Sequence, residues 1–169
     1  MNVGPKILFV IGTLLFLSGA FLLIQPHLYF CRVINEPVDK QTLYCLINKE
    51  RHKKGIQLLE PDLRLERAAK LRVFDIVAHN QFSHESISGQ TDNVLALQEG
   101  YKYQLIGEIL ARNFNTTREA FKSWMRSASH SAVILNPHYQ DIGIAILDSV
   151  VVGLEGKEQL PSPVQMLFD

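Results

Sequence analysis

Apolar and polar positions follow three different rhythms along this chain. From Ile7 to Ile24 there is no alternation at all: ILFVIGTLLFLSGAFLLI is an unbroken run without a charge. As a helix rising about 1.5 Å per residue it would span about 27 Å, near the thickness of a bilayer core. From Gln41 to Lys54 apolar residues return every three or four places. Leu43, Leu46 and Ile47 would share one helix face, with Lys49, Glu50, Arg51 and Lys53 on the other and Gly55 as the stop. The same rhythm predicts a second helix from Pro61-Asp62 to Ala78, through Leu65, Ala68, Ala69, Val73, Ile76 and Val77. Proline suits its first turn, and aspartate suits its positive end.

Further along, the segments shorten. ESISGQ (85–90) reads as a loop, and Asn93 to Glu99 as a short helix stopped by Gly100. Tyr101 to Leu110 mixes aromatic and aliphatic residues and predicts an extended segment carrying Glu108. Thr116-Thr-Arg-Glu119 matches a capping box, a hydroxyl followed three residues later by a carboxylate. The helix it opens would hold Ala120, Phe121, Trp124 and Met125 and end near Ser127. Ile142 to Leu147 and Val150 to Leu154 have strand composition, and Val164 to Phe168 reads as a last strand. Three or four helices around a small, largely antiparallel sheet make an α+β domain. The chain divides into residues 1–30, a linker at 31–40 broken by Pro37, and a domain at 41–169.

Charge narrows the function classes. Lysine plus arginine equals aspartate plus glutamate, 17 each. The chain therefore has no bulk attraction for nucleic acid. Its apolar content of 47% is high for a soluble protein, and the first 30 residues account for the excess. We expect residues 7–24 to be an uncleaved single-pass anchor in the cell membrane, with the domain on the extracytoplasmic side. Lys6 before the run and Arg32 after it say little about orientation. A cleaved signal peptide is the competing expectation, with Ser18-Gly19-Ala20 as the small-residue site, although Phe21 to Ile24 continue the apolar run past it. Phe30 precedes Cys31 where lipidation would need a small residue. Cys31 and Cys45 would form a disulfide or remain free, buried thiols, and the free state is the expectation here.

Three islands carry the candidate chemistry. Gln81-Phe-Ser-His84 places His84 just past the end of the second helix. Gly107-Glu108 lies on the extended segment. Ser129-His130 follows the end of the capping-box helix. Two imidazoles and a carboxylate are a ligand set for a divalent metal such as Zn2+ with an open position, where bound water becomes a nucleophile. A structural role is the alternative. A histidine after a helix C-terminus interacts with the negative dipole end, and Glu108 can pair with a protonated histidine. The helical H-E-x-x-H signature is absent, since His79 and His84 are five apart. Ser129 and Ser131 flank His130 but lie in no G-x-S-x-G elbow. His52 reads as solvated, His27 as lying at the membrane edge, and His138 as part of a turn. Asn115-Thr-Thr fits a glycosylation sequon. Trp124, Phe121 and Phe74 read as core.

The order of these motifs resembles the CAP superfamily of cysteine-rich secretory proteins, antigen 5 and plant pathogenesis-related proteins, above all its bacterial SCP-like extracellular branch. The segment from Leu46 to Gly55 looks like that branch's L-x-N-x-x-R-x-x-x-G. Asn80 to His84 is similar to N-x-F-S-H, and Gly107-Glu108 to G-E-N. Trp124-Met, His130, Ile134 to Pro137 and Ile142-Gly143 follow W-M-x-S-x-x-H-R-x-x-I-L-x-P and its I-G strand. The resemblance covers about Leu43 to Phe168. It implies a three-layer α-β-α sandwich with a cleft lined by two histidines and two acids. His84, Glu108 and His130 would be three of those four. The second acid is replaced by Ser127, the Asn after Gly-Glu by Ile109, and the Arg after the second histidine by Ser131.

The function implied is a membrane-anchored binding module for a small ligand, lipid, peptide or cell-wall fragment, with a divalent metal at His84, His130 and Glu108. Two alternatives stand beside it: a metal-dependent hydrolase with Glu108 as catalytic general base, and a purely structural interaction domain.

Overall fold

A computed structural model of the chain describes residues 37–160. The apolar run at 7–24, Cys31 and the strand expected at 164–168 lie outside the described residues. Among the described residues, no helix is long and apolar enough to cross a membrane.

The described chain is a mixed α+β domain with five helices and four strands. Helix α1 (Lys40–Lys53) starts at Asp39, whose carboxylate accepts from the Thr42 amide at 2.7 Å. This bond satisfies one of the amides that a helix start leaves without a partner. Strand β1 (Glu60–Pro61) is two residues long and precedes α2 (Leu63–His79). Pro61 therefore sits in a strand, not in the first turn of α2 as expected. Asp62 is the N-cap instead, accepting from the amides of Arg64 and Leu65. Helix α3 (Asp92–Gln98) is followed by Gly100 at φ 84°, a conformation glycine adopts without steric penalty. Strand β2 (Tyr103–Arg112) is followed by α4 (Thr117–Arg126) and α5 (Ala128–Ile134). The chain closes with β3 (Asp141–Leu147) and β4 (Val150–Glu158).

The strands lie in the order β1-β3-β4-β2, antiparallel except for the short parallel pair β1–β3. Because side chains alternate along a strand, each face of the sheet needs its own cover. On one face Ile109 and Ala111 of β2, Ile142 and Ile144 of β3 and Val151 of β4 pack with Leu43 and Ile47 of α1, Trp124 of α4 and Ile134 of α5. On the other, Leu110, Ala145, Val152 and Leu154 pack against Leu65, Ala69, Val73 and Ile76 of α2 and Ala96 of α3. At Gly143 the α2 backbone lies directly on β3, and an added Cβ would stand 2.2 Å from the Leu65 carbonyl carbon.

Four side chains depart from the sequence expectation. Arg51 is fully buried rather than part of the charged face of α1. It stands four residues after Ile47 and eight after Leu43, on the core stripe itself. Its guanidinium donates to the carbonyls of Gln57, Ile134, Asn136 and Tyr139, tying α1 to the end of α5 and the turn after it. Phe74, expected in the core, is 66% exposed on the outer face of α2. Cys45 is disulfide-bonded rather than a free thiol. Glu155, beyond the expected end of the last described strand, is wholly buried with neither carboxylate oxygen hydrogen-bonded.

Candidate functional site

The site begins with Arg72, on the core stripe of α2 four residues after Ala68 and four before Ile76, and fully buried. An ion in that position needs partners on every side. Its Nε donates to Glu108 Oε1 at 3.1 Å and its Nη1 to Asp75 Oδ2 at 2.8 Å, while Nη2 donates to the carbonyl of Ser83. One guanidinium thus joins α2, strand β2 and the loop that carries His84. That loop starts where Asn80 takes a left-handed conformation (φ 49°) and ends α2. Downstream it closes on itself, with the Ser86 amide donating to the Gln90 carbonyl at 2.9 Å and the Gln90 amide donating to Ser86 Oγ at 2.8 Å.

Glu108 faces the α2 side of the sheet, its side chain 3% exposed. Its second oxygen, Oε2, lies 2.6 Å from His84 Nδ1. Burial pushes the Glu108 carboxyl above the ordinary range, Arg72 and His84 pull it back, and Asp92 adds to the rise. Both oxygens are therefore engaged from within the protein. The His84 side chain is 63% exposed, and with Nδ1 held by Glu108 its Nε2 is the nitrogen left for an external partner.

His130 does follow the end of α4, but it is not in a loop. It occupies the first turn of a second helix, α5, whose N-cap is Ser127, with Ser127 Oγ 3.5 Å from the His130 amide. No glycine or proline interrupts residues 128–134, so the chain re-enters a helix after a one-residue break. His130 is half-buried. Burial lowers its pKa, and the neighbouring His84 lowers it further, both of which favour the neutral imidazole with its lone pair. The structure thus brings Glu108 and His84 into direct contact and sets His130 within electrostatic reach of His84. Among the described residues no group of three or more His, Cys, Asp and Glu is arranged to hold a metal ion.

The sequence model of the cysteine-rich secretory protein family, CAP, matches residues 44–150. The chain belongs to the CAP family. Its CAP domain is 33% identical over 104 residues to the uncharacterized protein YkwD of Bacillus subtilis, a match covering 62% of this chain and 40% of that relative. The chain therefore spans less than half the length of the relative. Solved structures with the same fold include an extracellular SCP-domain protein of Bacillus anthracis, with TM-score 0.68 at 24% identity over 70% of this chain and 40% of that one. An outer surface protein of Borrelia burgdorferi superposes with TM-score 0.67 at 24% identity, over 75% of this chain and all of that one.

The departures in the CAP domain have local consequences. Ile109 is fully buried and packs on the α1, α4 and α5 side of the sheet, opposite Glu108. Ser127 caps α5 and meets Ser129 Oγ at 3.0 Å, so it supplies a hydroxyl where the resemblance implies an acid. Ser131 Oγ donates to the Ala128 carbonyl at 3.2 Å within the same helix. Arg72 and Asp75 were missed from the sequence because a charged residue on an apolar stripe reads as a break in the pattern.

Proposed function

We propose that this CAP-domain protein is a membrane-anchored, extracytoplasmic binding module whose cleft offers His84 and His130 to a small ligand, lipid, peptide or cell-wall fragment. One observation carries the reading: Glu108 is enclosed, with one oxygen on Arg72 and the other on His84. A carboxylate so engaged orients a histidine; it has no free oxygen with which to take a proton from water. This favours holding a ligand over hydrolysis with Glu108 as general base.

A divalent ion such as Zn2+ fits the two imidazoles in part. His84 Nε2 and a neutral His130 are suitable nitrogen donors, and the carboxylate behind His84 fixes its tautomer and raises its basicity. The remaining positions would go to water or to the ligand, so binding is expected to be weak. The anchor rests on the uncharged run at 7–24. An extracytoplasmic location is in keeping with the relatives described as extracellular or outer surface proteins.

Zinc titration by calorimetry, on the full chain in detergent, tests the metal. His84→Ala/His130→Ala should abolish uptake, and Glu108→Gln should weaken it about 10–100-fold. Equal uptake by the double variant and the wild type removes the ion from the proposal. Zinc-dependent cleavage of peptide or cell-wall material that Glu108→Gln abolishes would replace the binding reading with the hydrolase.

A further inference from the structure

Helix α2 carries apolar side chains on two opposite faces. Its inner stripe, from Leu65 to Ile76, packs against the sheet. Its outward positions, read along the helix, are Leu63, Arg67, Lys70, Leu71, Phe74 and Ala78. They recur at three and four, so they form one continuous stripe, and no carboxylate interrupts it. Leu63, Leu71 and Phe74 are 72%, 45% and 66% exposed, so much of their apolar surface has no cover among the described residues. A lone leucine on a surface needs no explanation, but a helix apolar on opposite faces is characteristic of one covered on both.

Helix α3 widens the patch. Arg67 Nε donates to Glu99 Oε2 at 2.6 Å, which sets the end of α3 beside this stripe. Val94 and Leu97, one turn apart on α3, are also exposed. Both cations of the stripe are already engaged, Arg67 by Glu99 and Lys70 by Glu66 at 2.9 Å. The patch is therefore apolar with its charge neutralised, unlike a basic surface that recruits anionic groups.

The path of the chain indicates what lies opposite. Lys40 Nζ, at the start of α1, donates to Glu66 Oε1 in the first turn of α2 at 2.8 Å. The chain thus enters the domain beside α2, although α1 covers the other face of the sheet. Phe74 lies eight residues beyond Glu66, about 12 Å along the helix. Residues 25–39 alone separate this entry from the uncharged run at 7–24, and fully extended they span at most about 50 Å.

We propose that the outer face of α2, with α3 beside it, docks on the surface of the bilayer that holds the anchor, setting Leu71 and Phe74 against the acyl chains. This rests on the membrane anchor proposed above. Weak contact suffices, because a short connection makes the second binding event intramolecular.

The test is tryptophan quenching in the full chain, reconstituted in phosphatidylcholine nanodiscs with and without brominated acyl chains. Phe74→Trp puts the reporter on the patch and keeps an aromatic ring at an exposed position, while the native Trp124 is buried in the other helical layer. Brominated lipid should remove most of the emission that Phe74→Trp adds. Lys122→Trp, exposed on α4 in that other layer, should add emission that brominated lipid leaves unchanged. Leu71→Asp combined with Phe74→Trp should restore the lost emission, since it sets a carboxylate against hydrocarbon. Flotation of the full chain with phosphatidylcholine vesicles reads the anchor separately. A chain that floats but shows no quenching of Phe74→Trp keeps the anchor and overturns the docking. Equal quenching of Phe74→Trp and Lys122→Trp also overturns it. So does Phe74→Trp emission that shifts only with the number of chains per disc, the mark of a second copy on the patch. A chain that fails to float removes both the anchor and the docking.

Discussion

Replacing Glu155 by glutamine should stabilise the protein at neutral pH, and by an amount that depends on pH in a defined way. Glu155 is fully buried on the face of the sheet that holds Arg51, and neither oxygen has a hydrogen-bond partner. Arg51 spends its donors on four backbone carbonyls, so it lends Glu155 only a distant charge. Burial pushes the carboxyl up to about 8 from an ordinary value of 4.5, with Arg51 opposing the rise. The folded chain therefore keeps this group protonated at pH 7, where the unfolded chain ionises it. Holding that proton over the interval from 4.5 to 7 opposes folding by about 3 kcal/mol, at about 1.4 kcal/mol per pH unit. A group whose folded pKa is raised keeps its full contribution below the unfolded value and loses it as pH rises through the folded one. Glu155→Gln does not titrate. Its stability relative to wild type should be level below pH 4.5, rise by about 3 kcal/mol at pH 7, and level off above pH 8. The other shifted carboxyls, such as Glu108 and Asp62, cancel in the difference between the two proteins. Urea unfolding can be followed by Trp124, the chain's single tryptophan and fully buried. A difference that stays flat from pH 4.5 to 8 refutes the reasoning. So does a variant less stable than wild type by about 3 kcal/mol or more at pH 7, the result expected if Glu155 were an ionised partner of Arg51.

Two further substitutions probe the packing that positions the site. Gly143→Ala should destabilise by about 3 kcal/mol or more, because the new Cβ meets α2 backbone at 2.2 Å and backbone cannot rotate away. Gly107→Ala should be milder, since its nearest neighbour is the Tyr139 hydroxyl, the far end of a side chain; urea midpoints that reverse this order would refute the layer geometry. Arg51→Met should cost about 3–5 kcal/mol in the same assay, because carbonyls at 57, 134, 136 and 139 lose their donor together. A loss under about 1 kcal/mol would mean that those carbonyls find other partners.

Much of the fold was legible in the pattern of residues. Leu43 and Ile47, the stripe from Leu65 to Ile76, the Thr116 cap and the strand composition after Ile142 each sit where the periodicity puts them. Local signals suffice there, because helix faces, caps and strand alternation are set by neighbours a few residues away. The site was legible in its members and not in its wiring. His84 and Glu108 could be named from the islands that carry them. Their contact, however, joins residues 24 apart, and the arginine that anchors Glu108 is 36 residues from it.

By itself, then, the sequence determined the α+β class, the elements, the family and the two histidines, all of which rest on short-range periodicity and ordered motifs. Tertiary structure decided which charges went inside. It buried Arg51 against four carbonyls, made Arg72 the brace of the Glu108–His84 pair, left Glu155 without a partner and turned Phe74 outward. The physical reason is that burying a charge is tolerable only when partners converge on it from distant parts of the chain. Such convergence comes from packing two helical layers on one sheet, which no local window of residues contains.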